Sequence, residues 1–145
     1  AACYRTVTIA HFRDRQSGKE FQYLNTHLDH VGQTARAEGV KLIVNSLKES
    51  SIADDVPVVV GGDMNSTIED KIFQSFYDVN LKPARELTKR TSHVDTYNAY
   101  GKEKSALIDH FFVRNVKVKQ FRTLDGNYGV PYISDHYPIE MVMEL

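Results

Sequence analysis

Four clusters of carboxylate, amide and imidazole punctuate this chain: Asn25-Thr26-His27-Leu28, Gly61-Gly62-Asp63-Met64-Asn65, Ile108-Asp109-His110 and Ser134-Asp135-His136. The second is the sharpest. Two glycines let the backbone turn closely, and a carboxylate and an amide two residues apart can then point into one cleft. Asp63 can ligate a hard cation or take a proton from water, while the Asn65 amide can orient that water or a phosphate oxygen. In isolation the same residues would also make a Gly-Asp turn followed by an asparagine cap.

In Ser134-Asp135-His136-Tyr137-Pro138, a loop-to-strand junction lets Asp135 reach a metal while His136 faces a phosphate. A plain turn before a proline is the competing account. Asp109 stands at the mouth of the apolar run Phe111-Phe112-Val113, and a buried carboxylate needs a partner. An imidazole held by a carboxylate is fixed in tautomer and kept basic, which makes Asp109 the candidate orienter of His136. His27 can donate to a nonbridging phosphate oxygen, the kind of donor an in-line phosphoryl transition state requires. His30, three residues on, invites a zinc pair with His27, but no third soft ligand accompanies it.

The elements that must carry these groups are alternating strands and helices. Residues 4–12 read as a strand, with a turn at Ser17-Gly18 and a second strand at residues 21–24 that stops at Asn25-Thr26-His27. Ala37, Val40, Ile43, Val44 and Leu47 recur at three- and four-residue steps, which predicts an amphipathic helix over Gln33–Glu49. Residues 56–60, between Asp54-Asp55 and Gly61-Gly62, predict a strand buried on both faces. Ser66 with Glu69 predicts a capping box, and a helix through Tyr77 with Ile72, Phe73 and Phe76 inward. Residues 81–104 are polar and read as an extended surface loop. Residues 107–113 and 116–124 predict a strand pair turning at Asn115, residues 125–131 a loop, and residues 139–145 a closing strand. His27, Asp63, Asn65, Asp109, His110, Asp135 and His136 therefore all fall at or near strand ends, where α/β folds build their sites.

At 145 residues with 41% apolar and 26% charged side chains, the composition is that of one α/β domain with a substantial core. A formal net charge of −1 offers no broad positive field, so the charge balance gives no support to a nucleic-acid partner. Lys82, Arg85, Lys89 and Arg90 form the main basic cluster, read as a solvated loop face. One cysteine, Cys3, can make neither an internal disulfide nor a thiolate metal knuckle. No apolar run approaches a membrane span. The chain opens on Ala1 close to a strand-like pattern and reads as a piece of a longer protein, so localisation is open, secreted and periplasmic sites included.

The four clusters, in this order and at these wide gaps, together resemble the endonuclease/exonuclease/phosphatase superfamily. Ala1-Ala2-Cys3-Tyr4-Arg5-Thr6-Val7-Thr8 also looks like the segment before the first histidine motif in a bacterial branch of it. The resemblance implies a deoxyribonuclease I-like four-layered α-β-β-α sandwich, of which this chain would be the carboxy-terminal part. It implies a magnesium- or manganese-dependent phosphoester hydrolase, with water attacking phosphorus in line. Asp63 would act on that water or share a metal, Asn65 would orient it, His27 and His136 would bracket the phosphate, Asp109 would support His136, and Asp135 would lie at the metal. The family's early asparagine and its glutamate metal ligand find no match here, which leads to the expectation of little activity from the chain alone and of self-association through an exposed sheet edge. A binding module that keeps the fold without the chemistry is the alternative; it would have lost some of these six residues, and all six are present.

Overall fold

The computed structural model describes residues 3–50, 53 and 55–145; Ala1, Ala2 and Asp54, on which the sequence expectations draw, lie outside them. β1 (Val7–Arg13) turns back into β2 (Glu20–His27) through a loop in which Gly18, at φ 72°, donates to the Asp14 carbonyl. α1 (Gln33–Glu49) crosses over to β3 (Val58–Asp63), parallel to β2. A 3-10 turn (Lys71–Phe73) runs into the short α2 (Gln74–Tyr77), and β4 (Lys82–Pro83) leads on to β5 (Asp109–Arg114). These strands form one sheet in the order β1-β2-β3-β5-β4, and β6 (Lys117–Thr123) with β7 (Ile139–Glu144) forms a second.

The packing follows from the two-residue period of β3. Val58 and Val60 join Leu24 and Phe112 against Val40, Ile43, Val44 and Leu47 of α1 and against Phe73 and Phe76. Val59 points the other way and meets Ala84, Val113, Val118 and Phe121, so it lies between the sheets. Each such side chain, fully buried, stabilises the fold by about 1.5–3 kcal/mol. Helices, five-stranded sheet and two-stranded sheet thus stack in successive layers of a deoxyribonuclease I-like α/β fold.

Three expectations need correction. Residues 107–113 and 116–124 do not pair with each other. Asn115, left-handed at φ 57°, carries the chain from β5 in the first sheet to β6 in the second. An alternating pattern fixes which face a strand buries, and it carries no record of the strand's partner. The helix begins later than Ser66, because Met64 N–H still donates to the Ile108 carbonyl and Asn65 is left-handed. Coiling starts only where Asp70 accepts the Ile72 amide, at 3.1 Å, while the Ser66 hydroxyl is buried without a partner. Residues 81–104 are no surface loop throughout: Leu81, Ala84, Arg85, Thr96, Asn98 and Ala99 are all buried.

Candidate active site

The pairing register of the first sheet assembles the site. His27 ends β2, Asp63 ends β3 and Asp109 begins β5; His27 pairs with Asp63, and Asp63 with Asp109. Residues directly opposite one another on neighbouring strands share a face, so these three side chains stand in a row at one end of the sheet. The ladder extends one step past the strand ends, with Leu28 N–H donating to the Asp63 carbonyl at 2.9 Å.

Both glycines before Asp63 are required by space. A Cβ on Gly62, at φ 138°, would lie 1.8 Å from the Thr26 carbonyl oxygen. One on Gly61 would lie 2.6 Å from the Phe111 ring. Beyond them Asp63 Oδ1 accepts the Asn65 amide at 2.8 Å, which stabilises the left-handed Asn65, and Asn65 Nδ2 donates to the Leu28 carbonyl at 3.0 Å.

The other carboxylate oxygen of Asp63 faces two imidazoles. His27 Nε2 is 3.2 Å from Oδ2, and His136 Nε2 is 3.7 Å from it. His136 Nδ1 lies 2.8 Å from Asp109 Oδ2; an ionised carboxylate only accepts, so Nδ1 carries the proton and Nε2 is aimed at Asp63. Burial raises the pKa of Asp63 above its ordinary value, and repulsion from Asp109 adds to this, against the Asn65 amide and the two imidazoles.

A segment within 81–104 locks this geometry. Thr96 is fully buried, and its hydroxyl oxygen accepts the amides of Ile108 (3.1 Å) and Asp109 (3.0 Å). Its carbonyl accepts the Tyr137 amide at 2.7 Å. Asn98 Nδ2 donates to the Ser134 carbonyl, and the Asn98 amide donates to that of Asp135. Arg85 Nη2 donates to the Asp109 carbonyl at 3.1 Å from a guanidinium whose pKa burial lowers to about 10. Thr96 and Asn98 have no periodicity or motif to mark them in the sequence, and the charge that Arg85 shares with Lys82, Lys89 and Arg90 reads as a solvated basic face, whereas the Arg85 side chain is buried.

The remaining candidates are placed as follows. The Asp135 carboxylate accepts from Ser134 Oγ at 3.2 Å and is not within the cluster around Asp63. His30 pairs with Arg5, Nδ1 to Nη2 3.0 Å. His110 points into the core, where Nε2 donates to the Ser66 carbonyl at 2.8 Å and burial lowers its pKa to about 4. Among the described residues, ligand atoms of Asp63, Asp109 and His136 come within 4.8 Å of one another and could hold a divalent cation. Asp109 and His136 already satisfy each other, which leaves Asp63 as the natural oxygen donor. A hard cation there would relieve a carboxylate that is both desolvated and repelled by its neighbour.

No family model matches the sequence, and no curated protein matches it. Solved structures do match. An endonuclease/exonuclease/phosphatase from Bacteroides vulgatus superposes with a TM-score of 0.86 at 34% identity, over 100% of this chain and 57% of the other. A mannosyl-6-phosphatase of Bacteroides thetaiotaomicron gives 0.84 at 27% identity, over 97% of this chain and 57% of that one. The human Nocturnin catalytic domain shares the fold, with a TM-score of 0.69 at 18% identity, covering 95% of this chain and 53% of its own. The chain thus spans a little over half the length of the structures it matches.

Proposed function

The chain is a structural relative of endonuclease/exonuclease/phosphatase proteins, and from that premise we propose that it is the carboxy-terminal part of a divalent-metal-dependent phosphoester hydrolase. The observation that carries this reading is the bracket of His27 and His136 around Asp63 Oδ2, with Asp109 behind His136. Asp63 accepts the proton of the attacking water, a task that its raised pKa suits. His27 and His136 donate to the phosphoryl oxygens as charge gathers there, and Asp109 supports His136 in its protonated form. Asn65 fixes the loop that aims Asp63 and presents its amide beside it. Magnesium or manganese, held through Asp63 with Asn65 beside it, would supply neutralisation of the phosphate charge; Asp135, expected at the metal, keeps its carboxylate on Ser134 Oγ outside the cluster around Asp63.

Within this class the likeness to a mannosyl-6-phosphatase favours a phosphomonoester substrate over a nucleic acid, in keeping with the net charge of −1. Because the matches cover about 57% of their partners, the chain by itself is expected to turn over little substrate, and the edge strand β1, which exposes Ile9 and Phe12, is available for self-association. The test is a chimera that joins the amino-terminal segment of the Bacteroides vulgatus relative to this chain, assayed with and without magnesium on a panel of phosphomonoesters and phosphodiesters. Magnesium-dependent turnover in the chimera, lost in Asp63→Ala and His136→Ala variants that stay folded, is the expected result. Retained activity in either variant would refute the site.

A further inference from the structure

We infer that a cleft beside the catalytic row, with Arg85 in its wall, is a subsite for a second oxyanion carried by the substrate, a carboxylate or a further phosphate on the organic group of the ester. This rests on the phosphoester reading and deepens it. The cleft encloses about 380 Å³, and Arg85, His93 and Lys104 line it together with two acids, Glu69 and Asp95. Arg85 is 3% exposed; its Nη2 serves the Asp109 carbonyl at 3.1 Å, and its guanidinium lies 4.7 Å from the centre of the Phe121 ring. Its Nη1 is buried and has no partner.

The distribution of partners narrows the occupant. A guanidinium only donates, and a desolvated cation left unpaired is costly. Among the described residues no carboxylate is in ion-pair contact with Arg85, His93 or Lys104; the lysines and arginines so paired are Lys41, Lys117, Lys119 and Arg122. The two acids of the wall are engaged by hydroxyls instead. Asp95 accepts the Ser105 hydroxyl, and a hydrogen bond from Thr67 holds Glu69 below the usual carboxylate range. The basic nitrogens are thus left to a ligand, and the planar fork of Arg85 suits a carboxylate or phosphate.

The cleft is also tied to the chemistry by its backbone. Thr67 follows Asn65 by two residues, and Leu107 precedes Asp109 by two. Asp95 adjoins Thr96, whose hydroxyl accepts the Ile108 and Asp109 amides, and the next ring, Tyr97, lies 5.1 Å from that of His136. Two residues of extended chain span roughly 6.6 Å, so an ester with its phosphorus at Asp63 reaches the cleft through a few carbon atoms. Ile68, Ala106 and Leu107 give those carbons an apolar path. A neutral end group would leave the Arg85 charge uncompensated, which is the basis for discrimination.

Magnetic-resonance titration of the isotope-labelled chain, with magnesium present, tests the subsite on esters that differ only at the far end. Glycerol 3-phosphate is set against 3-phosphoglycerate, and sorbitol 6-phosphate against 6-phosphogluconate and sorbitol 1,6-bisphosphate. On at least one backbone an ester with the second anion is expected to bind about fivefold or more tightly than its neutral-ended partner, and to move the signals of Thr67, Arg85, Lys104 and Ser105. Whether the carboxylate or the bisphosphate gains more tells which oxyanion the cleft takes, and either gain supports it. Arg85→Gln, which keeps a donor for the Asp109 carbonyl and removes the charge, should bring the ratio toward one. Lys104→Ala, at the exposed rim, should at least halve the ratio if Arg85→Gln folds poorly. Equal affinities on both backbones, or an unchanged ratio in Lys104→Ala, would each overturn the anion subsite. Inorganic phosphate that fails to move His27, Asp63 or His136 would instead count against the phosphoester reading itself.

Discussion

Asp63 and Asp109 stand directly across from each other in the antiparallel pairing of β3 with β5, two carboxylates at one strand end. The second raises the pKa of the first, whose folded-state value burial already lifts above its unfolded one. For such an acid the folded state holds the proton more tightly, so near neutral pH the ionised form costs stability. Asp63→Asn is therefore expected to raise the thermal midpoint of the metal-free chain. Magnesium should stabilise the unaltered chain, by about 2.7 kcal/mol at a hundredfold excess over its Kd, and should have little effect on the variant. Differential scanning calorimetry with and without magnesium reads both; a variant that metal stabilises as much as the original would remove Asp63 from the metal.

Asp109 supports His136 at 2.8 Å. Replacing the acceptor with an amide of the same shape allows Nδ1 to meet an N–H group, which favours the wrong tautomer. In the chimera described above, Asp109→Asn is expected to lower kcat by roughly 10³–10⁴ with KM little changed, as in other histidine–carboxylate pairs. Steady-state kinetics decide it, and a fall under tenfold would show that His136 does not need this partner.

Much of this site could be read from the sequence because its residues fall at strand ends, where the alternation of apolar residues stops and polar ones are conspicuous. His27, Asp63 and Asp109 were visible for that reason, and α1 was visible because Val40, Ile43, Val44 and Leu47 repeat at helical steps. What was hidden is non-local. Thr96 acts through two hydrogen bonds to residues 12 and 13 positions away, and no local pattern encodes such a distance. The partners of β5 and β6 were hidden for the same cause, since each strand's alternation suits several neighbours.

Gly62 leaves no room for a side chain. A Cβ 1.8 Å from the Thr26 carbonyl oxygen, on backbone at φ 138°, can be relieved only by separating β2 from β3. Gly62→Ala is expected to cost more than about 4 kcal/mol, enough to unfold a marginal domain. Circular dichroism at 25 °C should show loss of native signal, while a stable, folded variant would contradict so close an approach of these two strands.

Thr96→Val keeps the shape of the side chain and deletes the acceptor for two partly buried amides, each costing about 1–3 kcal/mol when unsatisfied. The expected loss, read from urea unfolding, is about 2–5 kcal/mol. Thr96→Ser restores the oxygen and should recover most of it. If serine and valine are equally damaging, the methyl group and not the hydroxyl is what matters.

His110 makes the fold sensitive to acid. Its imidazole is buried among Phe73 and Phe112, with Nε2 on the Ser66 carbonyl and Nδ1 without a partner, and its pKa falls from 6.5 to about 4. The unfolded chain takes up the proton first, so stability is intact above pH 6.5, declines as pH falls toward 4, and levels off below, where both states are protonated. The difference of about 2.5 units corresponds to roughly 3 kcal/mol. His110→Gln keeps a donor for Ser66 and removes the titration. The gap in unfolding free energy between the original chain and the variant should therefore shrink or reverse between pH 6.5 and 4, as other titrating groups are common to both. A gap that stays constant over that window would mean that His110 is not held neutral by its surroundings.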